Sequence, residues 1–160
     1  MTFNSLDELK NYILSRSQVA IKMAQERIFK IIEDFLLQYY MEFEPEVYVR
    51  TYQLLCSLVK TDVKQTANGW VAEIYYDLNS LDYSTRIVPS QFSWASPHNT
   101  YHRQDWTHEN DIAVFNMAAH GSHGGYTSGT AVWDDPMRII RQDGFNILRQ
   151  SLIAAGIPVR

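Results

Sequence analysis

The sequence predicts an α+β fold: a long N-terminal helix, a small antiparallel sheet with an Asn-Gly hairpin, a long irregular loop region and a C-terminal helix, in that order. Three observations carry this reading. Apolar residues recur at helical spacing between Ser17 and Tyr40, alternating residues flank Asn68-Gly69, and an Asp-Pro start and a Gly-x-Pro stop bracket the last segment. At 160 residues the chain has the size of one ordinary domain, so a single domain over 1–160 is expected.

The first element is signalled by Ser5-Leu6-Asp7-Glu8, which has the form of a helix capping box. Downstream, Ile21, Ala24, Ile28, Ile31, Ile32, Phe35 and Tyr39 form one stripe, and a helix from Ser17 to Tyr40 would span roughly 36 Å. Part of so long a stripe could pack on a neighbouring subunit. Pro45 ends this region because it lacks an N–H and disfavours helical geometry in Glu44.

The hairpin runs from Leu58 to Gln65, turns at Asn68-Gly69 and returns over Trp70 to Asp77. Trp70, Ala72, Ile74 and Tyr76 fall on one face of the returning strand, and Glu73 and Asp77 on the other. Residues 79–130 are rich in Ser, Asn, Asp, Gly and His, with one short helix expected over Asp111 to Ala119. So long an irregular connection is usually functional, and this one is expected to order on docking. Ser122 to Gly129 reads as a loop. Asp135 is placed to cap a helix whose first residue is Pro136, with Met137, Ile140, Ile147, Leu148 and Leu152 buried and Gly156 and Pro158 as the stop.

Composition narrows the function. No apolar run reaches the ~18 residues of a membrane span, and the acidic start is unlike a signal peptide, so no membrane association is expected. The formal net charge is −4 with scattered cations, which disfavours nucleic-acid binding. Ten Tyr, seven Phe and four Trp lean towards association, since large rings are enriched at interfaces. Cys56 is expected to be a buried structural thiol.

Five histidines lie close together: His98, His102, His108, His120 and His123. His98 and His102 have the spacing of a zinc pair, but Pro97 and the lack of a glutamate after His98 argue against a zinc-protease helix. His120 and His123 could present two imidazoles from a loop, completed by Asp105, Glu109 or Asp111. A loop or interface role is the preferred reading, with no metal, cofactor or catalytic residue assigned. There is no nucleophile elbow and no phosphate loop. Asp134-Asp135 reads as a helix start rather than a glycosidase pair, and Tyr39-Tyr40 and Tyr75-Tyr76 as packing rings.

Phe43-Glu44-Pro45-Glu46-Val47-Tyr48-Val49-Arg50-Thr51, with Leu54 and Ser57-Leu58, resembles the central segment of neck or tail-completion proteins of long-tailed bacteriophages. In those proteins a glycine commonly follows the threonine, where this chain has Tyr52. The resemblance implies a virion subunit in a homo-oligomeric ring between the portal or head-closure complex and the tail tube, assembled in the host cytoplasm. Its partners would be other neck, portal or tail-tube proteins, with DNA passing through the channel without specific binding. Tyr48, Arg50, Trp133, His120 and His123 are the candidate interface or architectural residues. The alternatives are a metal-dependent enzyme using the His98–His123 cluster and a tail-terminator ring subunit.

Overall fold

The computed structural model describes residues 2–42, 52–67, 69–82, 107–121 and 129–159. Its architecture is α+β, with long helices at both ends of the chain and short antiparallel strand pairs between them. No helix among the described residues is long and apolar enough to cross a membrane. The chain divides into two compact units, Met1–Ile31 with Lys60–Tyr75 and Met137–Arg160, and Ile32–Val59 with Tyr76–Pro136.

Helix α1 spans Leu6–Glu42 without a break. The cap at Ser5 and the stripe from Ser17 to Tyr40 therefore belong to one element, because no Gly or Pro interrupts positions 6–42. Ser5 Oγ accepts the Glu8 N–H at 3.1 Å, and the Glu8 carboxylate accepts from Asn4 N–H at 2.8 Å, one residue before the amide a standard box would use.

In the first unit α1 buries Ala20, Ala24 and Gln25. Strand β1 is Leu58–Lys60, β2 Lys64–Thr66, β3 Gly69–Val71 and β4 Ile74–Tyr76, with β1 paired to β4 and β2 to β3. The hairpin expected as two continuous strands is thus broken into two short ladders. In β2–β3 the register pairs Lys64 with Val71, Gln65 with Trp70 and Thr66 with Gly69. Beyond them Thr61 faces Glu73: Thr61 N–H donates to the Glu73 carbonyl at 3.0 Å, and Glu73 N–H donates to Thr61 Oγ1 at 3.0 Å. Asp62 and Val63 therefore stand opposite Ala72 alone, which is a β-bulge.

Gln25 explains why the bulge is tolerated. Its Nε2 donates to the Thr61 carbonyl at 2.8 Å and to the Glu73 carbonyl at 3.1 Å, while the Thr61 hydroxyl stands in for the ladder acceptor so displaced. The extra residue lies in the outgoing strand, so the inward alternation of Trp70, Ala72, Ile74 and Tyr76 survives. The Trp70 indole N–H reaches the Leu14 carbonyl at 2.9 Å.

Helix α2 is Gln53–Ser57, α3 His108–Ala119 and α4 Asp134–Ala154. The deepest positions at the α4 C-terminus are the small Ser151 and Ala155, with Met137, Ile140, Ile147, Leu148 and Leu152 half-buried around them. Gly156, at φ 92°, ends the helix: its N–H donates to Ile153 and the Ile157 N–H donates to Leu152, both at 2.9 Å, the bond pair of a Schellman motif. Within the first unit Tyr12 Oη donates to the Gly156 carbonyl at 3.2 Å and Arg27 to Gln150 Oε1 at 2.9 Å, joining α1 to α4.

Two sequence expectations are corrected in the second unit. Asp135 does not cap α4, which begins at Asp134; its carboxylate accepts from Ala131 N–H at 3.0 Å, because the turn from Ala131 to Asp135 is already hydrogen-bonded. Cys56 is exposed rather than buried. The short α2 buries Leu54 and Ser57, three apart, and this rotation turns Cys56 outward. Leu78–Ser80 forms a 3-10 turn started by Asp77, whose carboxylate accepts from Asn79 N–H at 3.2 Å. The short helix expected from Asp111 starts three residues earlier, after Thr107.

Candidate functional site

Of the five candidate interface residues, His120 and Trp133 lie in one place, at the junction where α3 ends and the chain returns towards α4. Tyr48, Arg50 and His123 lie outside the described residues, as do His98, His102, Asp105 and the Pro45 segment.

The junction is built on the free carbonyls of the last turn of α3. Gly121 takes φ 78° and donates to the Ala118 carbonyl at 3.2 Å. The returning chain then supplies three donors: Gly129 N–H to Gly121 at 2.8 Å, Val132 N–H to Ala118 at 3.0 Å and Trp133 N–H to Ala119 at 3.3 Å. A Cβ at Gly121 would meet the Gly129 carbonyl at 2.6 Å, so both the left-handed backbone and the close approach require glycine here. The ends of segment 122–128 are thereby pinned together.

Beneath this base Tyr76 is buried. Its hydroxyl donates to the Val132 carbonyl at 3.0 Å, and its ring packs on Phe115 at 5.0 Å and on Trp133 at 5.9 Å, nearly edge-on. Burial raises the Tyr76 pKa above its ordinary value, and the nearby Tyr40 adds to the shift. Trp133 is therefore held by the core on one side. Above it His120 Nδ1 pairs with Asp134 Oδ2 at 2.7 Å, both side chains more than half exposed. The pair ties the end of α3 to the start of α4. Among the described residues Asp134 is the side chain that His120 pairs with.

Residues that flank 43–51 and 83–106 lie in the same unit. Glu42, the last residue of α1, accepts both the backbone N–H (2.8 Å) and the hydroxyl of the buried Thr130. Tyr52 packs its ring on Tyr40 at 4.9 Å, and the Gln53 side chain accepts from Asp82 N–H at 2.8 Å. The residues that flank 43–51, 83–106 and 122–128 are thus stitched to one another. Sequence reading missed Glu42, Thr130, Tyr76 and Asp134 in these roles. Only Tyr76 carried a signal, its place on the inward face of a strand.

The two described histidines of the cluster do not share one centre. His108 and His120 stand at opposite ends of α3, twelve positions apart, about 18 Å at the helical rise. His108 pairs with the buried Asp111 at 3.5 Å, and no group of three or more metal-ligating side chains occurs among the described residues.

These features describe an α+β scaffold in which Glu42 and Thr130, Tyr40 and Tyr52, Gln53 and Asp82, and Gly121 and Gly129 are tied pairwise. Residues 5–155 match the YomN family, and the chain belongs to that bacteriophage-associated family. No curated protein and no solved structure matches it.

Proposed function

We propose that the chain is a structural virion subunit of the phage neck or tail-completion layer, assembling as a ring between the portal or head-closure complex and the tail tube. The observation that carries the viral part is membership of a phage-associated family over residues 5–155. The layer is supported by the Phe43 to Leu58 resemblance, and assembly by exposed apolar side chains on the helices: Leu6, Met41 and Phe145 are 84%, 85% and 78% exposed. Such a subunit works through packing and needs no reactive group. A formal charge of −4 suits a channel that lets DNA pass without holding it.

The test is an image reconstruction of virions combined with deletion of the gene. The expected result is ring density for this chain at the head–tail joint, and unjoined heads and tails without it. Density at the far side of that joint, capping the tail tube, would favour the tail-terminator reading. Absence of the chain from virions would refute both.

A further inference from the structure

The solvent face of α4 has a pattern that the junction at His120 and Trp133 does not use. Arg138, Arg141, Phe145 and Arg149 follow at intervals of three, four and four, which places them along one stripe of the helix. All four are exposed, and Phe145, at 78%, is the most exposed aromatic ring among the described residues. No ion pair among the described residues engages Arg141 or Arg149, one turn to either side of Phe145. Asp143 lies two positions from Phe145 and so falls on a different face. An aromatic ring between unpaired guanidiniums is the composition of a protein interface core, where Arg and aromatics are enriched and Lys is depleted.

The same chain carries a complementary patch. Near the end of α1, Glu33, Asp34, Leu37 and Met41 share a face, with Met41 85% and Leu37 39% exposed. Both carboxylates also interact within their own chain. We propose that the Arg138–Arg149 face of α4 docks on the Glu33–Met41 face of α1 in a second copy of the chain. Phe145 seats against Leu37 and Met41, and Arg141 and Arg149 reach Glu33 and Asp34. The two patches differ, so the contact is heterologous and propagates from copy to copy, as closure of a ring requires. The inference rests on the ring reading for its biological setting, but the contact can be measured by itself. An anionic nucleic acid is the less suited occupant, because the stripe lacks lysine and the whole chain is acidic, with 18 Asp and Glu against 14 Lys and Arg.

The full-length chain is examined by sedimentation over a range of concentrations at low and high salt. Wild type is expected to self-associate, more weakly as salt rises. Phe145→Ala should weaken association by about tenfold or more. Arg141→Glu with Arg149→Glu should abolish it, and adding Glu33→Arg with Asp34→Arg to that variant should restore it. Circular dichroism confirms that each variant is folded. Wild type that stays monomeric, association untouched by Phe145→Ala, or a four-fold charge swap that folds but does not recover would each overturn the proposal. So would loss of duplex-DNA binding in the arginine variants without any change in association. Virions of the Phe145→Ala variant separate the two readings: normal rings would sink this contact alone, whereas self-association by a chain absent from virions would sink the ring reading alone.

Discussion

Replacing Tyr76 with Phe removes one hydroxyl and nothing else, and its consequences follow from the buried cluster under the Gly121–Gly129 base. Tyr76 is 8% exposed and Val132, its acceptor, 0%, so the variant leaves a buried carbonyl without its side-chain donor. Such a loss costs about 1–2 kcal/mol at neutral pH. Burial also raises the Tyr76 pKa, with Tyr40 as the second cause. A raised folded-state pKa means that the contribution is complete below the unfolded value, roughly 10, and is lost as pH climbs from there towards the folded value. Over that window the unfolded chain ionises at this position while the folded chain does not, and wild type loses about 1.4 kcal/mol per pH unit that Tyr76→Phe keeps. The advantage of wild type should therefore vanish about one unit above the unfolded pKa, near pH 11, and reverse beyond it. Urea unfolding of both proteins at steps from neutral to strongly alkaline pH reads this directly. A difference between the two midpoints that stays constant across the series would refute the reasoning.

Four further outcomes are expected. Gln25→Leu keeps the side-chain volume but strips the Thr61 and Glu73 carbonyls of their shared donor; it should cost about 1–3 kcal/mol in urea unfolding, and a neutral result would mean the bulge does not need its bridge. Gly144→Ala should stabilise by about 0.5–1 kcal/mol, since a Cβ there meets only Ile140 at 3.8 Å. Gly121→Ala should lower the thermal midpoint by several degrees because its Cβ would lie 2.6 Å from the Gly129 carbonyl; equal melting of the two alanine variants would contradict the junction geometry. Cys56, exposed on α2, should react stoichiometrically with a thiol reagent in the native protein, whereas reaction only after unfolding would restore the buried reading.

The elements with a local signature were legible in the sequence. The Ser5 cap, the apolar stripe from Ser17 to Tyr40, the Gly156 stop and the inward set Trp70, Ala72, Ile74 and Tyr76 all depend on residues a few positions apart. What escaped depends on partners remote in the chain. The bulge at Asp62-Val63 is held by Gln25, which looks from its own neighbours like an ordinary polar residue on a helix. Cys56 was misplaced because a five-residue helix gives too little periodicity to fix which face turns inward. For the candidate site, His120 and Trp133 were singled out from residue type, and their shared setting depends on contacts with Asp134 and Tyr76 that only the folded chain brings together.

The closure at Gly121 and Gly129 separates the length of one segment from the integrity of what lies beneath it. Because the joint is made by backbone groups on either side of 122–128, residues added between them enlarge a ring whose ends are already fastened. The hydrogen bonds of the joint and the packing of Tyr76, Phe115 and Trp133 are both made by residues outside 122–128, so this base is fastened by groups supplied from either side of that stretch.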